Sequence, residues 1–226
     1  VPYHNFQHCV DVTHTTFMFI KRVAHKVVLT ELEKFALMVA AVSHDLDHPG
    51  VNNAFLVNAR DPLATTYNDS SVLENRHVAA LYSLLLSKPQ LNIFARLDVA
   101  QWREVRKMVI GAVLSTDMVH HFPMVSKLEV DNLARLFDAA EERQLLLNLL
   151  LHCADISNPV KPAAIAEKQP FMLCCRWADR VLAEFFLQGD RERAAGLAIS
   201  PMCDREKTSR AGSQINFIEF VVAPIY

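Results

Sequence analysis

Two histidines near the start of the chain, His4 and His8, are four residues apart within "VPYHNFQHCV". On an α-helix this spacing places both imidazoles on one face, about one turn from each other. Three interpretations are open: the pair binds a metal ion, one ring acts as an acid or a base, or both rings pack in the core. The pair alone does not decide among them.

Two further polar clusters end strongly apolar segments. The stretch "AAVSHDLDHPG" brings His44, Asp45 and His48 to the end of one segment, and "LLLHCADISNP" brings Asp155 to the end of another. Carboxylates and imidazoles at the ends of buried helices are costly unless they are paired or bound to a metal ion. Three such clusters together favour a shared site over three separate packing roles.

The three clusters could supply one set of metal ligands. His8, His44, Asp45 and Asp155 would offer two imidazoles and two carboxylates, which suits zinc with open positions for water. A second, more weakly held ion such as magnesium could share Asp45 and take water for its other ligands. Two such ions are suited to phosphoester hydrolysis. His4, one turn from His8, would then be placed to act as the general acid.

The segments that must position these residues carry helix signals. Capping-box pairs predict three helix starts: Thr30 with Glu33, Ser71 with Glu74, and Asp98 with Gln101. Pro49-Gly50 predicts the end of the second helix. Further helices are predicted over 140–154, 174–188 and 206–225, and no Asn-Gly or Asp-Gly hairpin signal occurs. The fold prediction is therefore an all-α, compact multi-helix protein.

An apolar stripe predicts which side of the first helix faces the core. It consists of Phe6, Val10, Phe17, Ile20 and Val27.

Composition excludes several classes of function. The net charge of −2 gives no field that would attract nucleic acid, so no nucleic-acid partner is expected. Five cysteines without a Cys-x-x-Cys spacing indicate free thiols in a reducing, cytoplasmic compartment. The longest apolar runs are shorter than a membrane span of about 20 residues, so no transmembrane segment is predicted. We expect one catalytic domain over 1–226, truncated at its N-terminus, with regulatory domains outside it.

Five sequence blocks resemble the signature of class I 3′,5′-cyclic nucleotide phosphodiesterase catalytic domains. They are "YHNFQH", "HDLDHPG", "YNDSSVLENRH", "HCADISNP" and "SQINFIEF", in the family's order from residue 3 to residue 220. The resemblance implies an HD-type helical domain with a binuclear metal site. It also implies hydrolysis of cyclic AMP, cyclic GMP or both to 5′-nucleoside monophosphates by a metal-bridging hydroxide. A protozoan, trypanosomatid-type source is expected.

The resemblance also implies roles for individual residues. His4 matches the general acid, and His8, His44, Asp45 and Asp155 match the zinc ligands, with Asp45 also bridging to Mg²⁺ (or Mn²⁺). Three residues match positions around the water shell of that second ion: His48, Glu74 and Thr116. Five match the purine pocket: Gln214 as the hydrogen-bonding glutamine, Val181 and Phe217 as apolar jaws, and Asn158 and Tyr3 as lining residues.

Two rival functions remain open from the sequence. One is an HD-type metal phosphohydrolase that acts on acyclic nucleotides, and the other is a catalytically silent cyclic-nucleotide binding domain. The chain also departs from the family pattern. We expect it to lack the helical subdomain that precedes the first block in the family, to miss a loop near 128–134, and to carry extra residues at 163–175.

Overall fold

The computed structural model describes residues 1–130, 142–161 and 170–226. All regular elements in these ranges are helical, which confirms the all-α prediction. The α-helices are α1 (Phe6–Val23), α2 (Glu31–Ser43), α3 (Asn53–Asn58), α4 (Pro62–Thr66), α5 (Val72–Leu86), α6 (Val99–Leu114), α7 (His121–Val130), α8 (Arg143–Asp155), α9 (Pro170–Ala194) and α10 (Arg210–Phe217). A π-helical turn, Ile218–Val222, follows α10.

Two of the predicted capping boxes are confirmed. The Thr30 hydroxyl accepts a hydrogen bond from the Glu33 amide, and the Glu33 carboxylate accepts one from the Thr30 amide. Asp98 and Gln101 form the same reciprocal pair before α6. Arg143 at the start of α8 also donates to Glu33 over 2.7 Å, so α8 is anchored where α2 begins.

The third predicted box has a different local backbone. Ser71 has a φ of 40°, whereas Thr30 and Asp98 have the extended backbone typical of an N-cap. At this helix start, the Leu73 amide donates to the Asn53 side chain over 2.9 Å. A side chain from α3 therefore satisfies one of the first amides of α5.

The predicted inner stripe of α1 is wrong over its first half. Phe6, Val10 and Phe17 are 79%, 49% and 42% exposed. The buried side of α1 carries His8 and Val12 instead, both fully inaccessible. The stripe was misplaced because apolar periodicity assumes that polar residues face solvent, and here a buried histidine shares the inner face. The later stripe residues are buried as predicted: Ile20 and Val27.

The described residues divide into two compact units. The first comprises 1–8, 48–73 and 156–226, and the second comprises 9–47 and 74–155. In the second unit α2 packs against α6 and α8, and their side chains form the larger apolar core. α2 ends at Ser43, directly before the predicted site residues His44 and Asp45, and α8 ends at the predicted site residue Asp155. This core therefore fixes both helix ends. The expectation of a single domain stays a prediction.

A stripe of buried polar side chains on α9 organises the first unit. The Gln188 side chain accepts from the Asn52 amide over 2.8 Å and donates to the Asn52 side chain. Four residues further on, Glu192 accepts from the Ser200 amide over 2.7 Å. Glu184 lies one turn before Gln188 on the same face. These contacts fix the position of α9 relative to the 48–52 turn and the 200 segment.

A glycine permits one close approach in the first unit. A Cβ atom on Gly189 would lie 2.0 Å from the Cys203 carbonyl oxygen. Only glycine lets the segment around Cys203 pack this closely on α9.

Among the described residues no single helix is long and apolar enough to span a membrane, although the bent pair Val99–Leu114 and Met118–Leu128 meets that test by length and composition together. Cys9, Cys153 and Cys203 are free thiols. Most of the loop expected to be missing near 128–134, and most of the extra residues at 163–175, fall outside the described residues.

Candidate active site

The C-terminal ends of α2 and α8 bring an imidazole and two carboxylates together in the second unit. His44 follows α2 directly, is fully buried, and donates from Nδ1 to the Ala41 carbonyl over 2.9 Å. Its Nε2 lies 3.1 Å from Asp45 Oδ2 and 3.4 Å from Asp155 Oδ1. A backbone carbonyl therefore orients the ring, and the second nitrogen points at two carboxylates.

The two carboxylates of this cluster favour a positive charge between them. Burial lowers the pKa of His44, but the carboxylates of Asp45 and Asp155 outweigh burial and raise the pKa well above its usual value. In the absence of a metal ion, a proton on Nε2 supplies the charge. One ligand atom from each residue lies within 4.8 Å of the others, so a divalent cation can take the proton's place. A histidine whose other nitrogen is held by a carbonyl is the usual metal-ligand arrangement.

A second histidine, His77 of α5, faces the same cluster. Its Nδ1 donates to the Leu46 carbonyl over 2.7 Å, and its Nε2 lies 3.9 Å from Asp45 Oδ1. Its side chain is almost completely buried.

In the first unit, His4 is held by Glu184 of α9. His4 Nδ1 donates to Glu184 Oε1 over 2.5 Å. Glu184 Oε2 accepts from the backbone amides of Tyr3 and His4 over 2.8 and 3.2 Å. Burial raises the pKa of Glu184, but the hydrogen bonds from His4 and these amides outweigh it and lower the pKa to about 2. An ionised carboxylate therefore fixes both the ring and the backbone of the predicted general acid.

His48 stacks on His4. The ring centroids are 3.9 Å apart with an interplanar angle of 22°. His48 Nδ1 accepts from the Gly50 amide over 3.0 Å, within a turn where Gly50 has a φ of 76°. A side chain at Gly50 would meet Val1 as well as require the left-handed backbone, so glycine is needed here.

Aromatic contacts surround the segment that carries His8. The rings of Tyr3 and His8 are 4.6 Å apart, and Trp177 of α9 contacts both rings edge-on. The Asn158 side-chain amide donates to the Tyr3 hydroxyl. The structure thus brings together two predicted pocket residues, Tyr3 and Asn158.

The other predicted pocket residues lie on two helices that contact each other. Val181 is half-buried on α9, and Gln214 and Phe217 are half-buried on α10, three residues apart and so on similar sides of that helix. An ion pair between Arg210 and Asp179, with Nε and Oδ1 2.6 Å apart, joins the two helices. Their role as a purine clamp stays a prediction.

Two residues predicted near a second ion lie in the second unit. Glu74 is in the first turn of α5. Thr116 follows α6 and donates from its hydroxyl to the Val113 carbonyl over 2.7 Å. Both side chains are half-buried, and their role around a metal-water shell stays a prediction.

Comparison with known proteins decides the family. The family model of 3′5′-cyclic nucleotide phosphodiesterase matches residues 3–226. The chain belongs to this family. The resemblance seen in the sequence blocks is therefore confirmed.

Individual relatives of this phosphodiesterase-family chain are similar over its whole length. Mouse 3′,5′-cyclic-AMP phosphodiesterase 4C is 42% identical over 234 residues, which cover 100% of this chain and 33% of the mouse protein. Isoform F of 3′,5′-cyclic-AMP phosphodiesterase from Drosophila melanogaster is 42% identical over 233 residues, covering 100% of this chain and 34% of that protein. The chain thus spans about a third of these curated relatives. The expected trypanosomatid source stays a prediction.

A solved structure shares the fold. The phosphodiesterase domain of the RhoPDE fusion protein from the choanoflagellate Salpingoeca rosetta superposes with a TM-score of 0.87 at 38% identity. The match covers 99% of this chain and 69% of that one. The helical phosphodiesterase fold predicted for this family member is confirmed.

Sequence reasoning missed two residues that contact predicted site residues. Glu184 holds His4, and His77 holds the turn beside Asp45. A carboxylate within the apolar run "VLAEFFL" was a usable signal for Glu184, because such a residue is expected to have a buried partner. His77 ends the block "YNDSSVLENRH", so its place in that block was a usable signal for it.

We predict that zinc binding at His44 releases a proton. Because the neighbouring carboxylates raise the pKa of His44, zinc must displace the proton from Nε2 at neutral pH and below. The zinc affinity of metal-stripped protein should rise by up to about tenfold per pH unit over pH 6–7.5. Calorimetry in buffers of different ionisation enthalpy measures both the affinity and the proton release.

The matched controls for this titration are His44→Gln and His25→Gln, the latter at an exposed histidine. His44→Gln should lose the tight, proton-coupled binding, and His25→Gln should keep it. Zinc binding without proton release, or unchanged in His44→Gln, would contradict the assignment.

Proposed function

We propose that this chain hydrolyses 3′,5′-cyclic nucleotides to 5′-nucleoside monophosphates. The observation that carries the proposal is the cluster of buried His44 with half-buried Asp45 and Asp155, because its charge requirement suits a divalent cation in a family of cyclic nucleotide phosphodiesterases. The similar animal proteins are named as cyclic-AMP phosphodiesterases, which favours cyclic AMP as the first substrate to test.

The proposed metal ligands are His8, His44, Asp45 and Asp155, with zinc as the tighter ion and Mg²⁺ or Mn²⁺ as a second ion at Asp45. Two imidazoles and two carboxylates suit zinc, and a carboxylate with water suits magnesium. When bound, such ions activate water at neutral pH and neutralise charge on the phosphoryl oxygens. The residues proposed to orient the water molecules of the second ion are His48, Glu74 and Thr116.

His4 is the proposed general acid for the departing sugar oxygen. Its Nδ1 donates to Glu184, so the proton available for transfer is the one on Nε2. Because Glu184 also accepts from the Tyr3 and His4 amides, the ring and its backbone are held by one ionised group. Glu184 is therefore proposed as a positioning residue for the His4 ring.

The proposed purine pocket uses residues of the first unit. Gln214 offers both an amide donor and a carbonyl acceptor, so it can pair with either purine, depending on its orientation. Val181 and Phe217 offer an aliphatic and an aromatic surface for the two faces of the base. Asn158 and Tyr3, which are hydrogen-bonded to each other, would line the same pocket.

A different pair of residues disfavours each of the two rival functions. A silent binding domain would have no use for an acid held by an ionised carboxylate, and the pair His4–Glu184 is intact. A phosphohydrolase of acyclic nucleotides would not need the late glutamine-phenylalanine pair. We also place the enzyme in the cytosol, in keeping with its free thiols, with regulatory segments outside these residues.

Asp45→Asn should abolish hydrolysis of cyclic AMP and cyclic GMP, because it removes the carboxylate proposed to bind both ions. Turnover is measured by formation of the 5′-monophosphate, and bound zinc and magnesium are counted by atomic emission. Glu104→Gln, which neutralises an exposed carboxylate on α6, is the matched control. Full activity and unchanged metal content in Asp45→Asn would reject the proposed function.

His4→Asn should slow turnover of the cyclic nucleotide by about 10²–10⁴-fold while metal content is retained. Glu184→Gln should cause a smaller loss, because the acid remains but its positioning carboxylate is neutral. A p-nitrophenyl phosphodiester needs no proton on its leaving group, so both variants should hydrolyse it at close to the wild-type rate. Equal losses on both substrates would mean that His4 is not the acid.

Gln214→Ala should weaken cyclic nucleotide binding and leave the chemical step nearly unchanged. Losing hydrogen bonds in a desolvated pocket costs about 1–3 kcal/mol, which is roughly 5- to 150-fold in kcat/KM. The loss should fall on KM, because the base contacts are similar in the ground and transition states. Ile215→Ala, at the exposed neighbouring position, is the control. A variant with lower thermal stability and wild-type kinetics would instead identify Gln214 as a packing residue.

A further inference from the structure

The turn that follows α2 contains a residue in an unfavourable backbone region. Asp47 has a φ of 64°, in the left-handed region that favours glycine. Aspartate adopts this region more readily than most non-glycine residues, and surrounding contacts help to hold it there. The turn also contains His44 and Asp45, two proposed metal ligands, so the contacts that hold it bear on the metal site.

The first contact comes from α5. Arg76 donates from Nη2 to Asp47 Oδ2 over 2.5 Å. The two side chains are 39% and 59% exposed, so their ion pair contributes little to global stability. Its effect must be local, on the conformation of the residue whose backbone is left-handed.

The second contact comes from the next residue of α5. His77 donates from Nδ1 to the Leu46 carbonyl over 2.7 Å. Its Nε2 is 3.9 Å from Asp45 Oδ1, and its side chain is buried. Adjacent residues of one helix therefore hold adjacent residues of the turn, one through a side chain and one through the backbone.

We propose that Arg76 and His77, two neighbouring side chains of α5, position the 44–47 turn for metal binding. We call this pair the clasp. Neither residue is assigned as a ligand or as a catalytic group. Holding Leu46 and Asp47 fixes the backbone from which Asp45 extends, and hence the distance between the Asp45 carboxylate and His44 Nε2. This inference rests on the metal site proposed above. Groups that orient ligands from behind commonly change metal affinity by about 10- to 100-fold.

The experiment measures zinc and magnesium affinity on metal-stripped protein, by competition with a chelator for zinc and by calorimetry for magnesium. The variants are Arg76→Ala, Asp47→Ala, their double variant, His77→Leu and His77→Asn. Arg103→Ala, which removes an exposed arginine on α6, is the matched control. Thermal unfolding of each metal-free variant separates a local effect from a loss of stability.

We expect Arg76→Ala and Asp47→Ala each to weaken metal binding about tenfold or more, and the double variant to lose no more than either single variant. His77→Leu should also lose affinity. His77→Asn should largely restore it, because the asparagine amide can donate to the Leu46 carbonyl from nearly the position of Nδ1. The metal-free unfolding temperature of Arg76→Ala should match that of Arg103→Ala, because the ion pair it removes is exposed.

Several results would overturn the clasp. One such result is wild-type metal affinity in Arg76→Ala and His77→Leu. Another is a loss of affinity in the double variant that equals the sum of the two single losses. A third is failure of His77→Asn to restore metal binding. Affinity losses matched by equal losses of metal-free stability would assign the residues a structural role only. If wild-type protein itself bound neither ion, the proposed metal site would fail together with the clasp, whereas normal wild-type binding with unaffected variants would overturn the clasp alone.

Discussion

The burial of His44 beside two carboxylates is the constraint on which the second unit depends. Desolvated carboxylates need a compensating positive charge, from a proton on His44 or from a cation. Both helices that lead to the cluster, α2 and α8, reach it with their C-terminal ends, where the helix dipole gives a partial negative charge that also favours a cation. The side chains and the helix ends therefore both favour a positive charge at the cluster. The apolar core of α2, α6 and α8 holds those ends in place against it.

In the first unit, hydrogen bonds from other segments satisfy the buried polar side chains. There the polar side chains of α9 recur every four residues, and each one binds a different segment: Glu184 the N-terminal residues, Gln188 the turn at Asn52, and Glu192 the nearby segment at Ser200. Because backbone amides, a hydroxyl and the His4 ring donate to these groups, both buried carboxylates have hydrogen-bond partners. The first of these regularly spaced side chains, Glu184, thereby fixes the orientation of His4. The orientation of His4, the proposed general acid, then depends on the packing of α9.

The sequence predicted those features of the structure that depend on residues close together in the chain. Capping boxes at Thr30 and Asp98 were found because both partners lie within one turn, and the helical class followed from many such local signals. The inner face of α1 was misjudged because His8 is buried for a reason that periodicity does not contain. Glu184 was missed because its partner, His4, is 180 residues away, and no local pattern encodes a pairing at that distance. The site residues that were recognised are those whose type is unusual for their apolar surroundings.

The two histidines four residues apart near the N-terminus occupy contrasting environments. His8 is fully inaccessible and lies against aromatic rings, which suits a fixed ligand that never needs to meet solvent or substrate. The His4 side chain keeps 23% of its surface exposed, and its inner nitrogen is engaged by an ionised carboxylate, which leaves the outer nitrogen to exchange a proton. His4 lies before α1, which begins at Phe6, so the shared helix face expected from the spacing of four is not what relates the two rings; their centroids are 5.7 Å apart and their planes nearly perpendicular. One short segment at the start of the chain thus places a buried histidine, the proposed ligand, next to a more accessible one, the proposed acid.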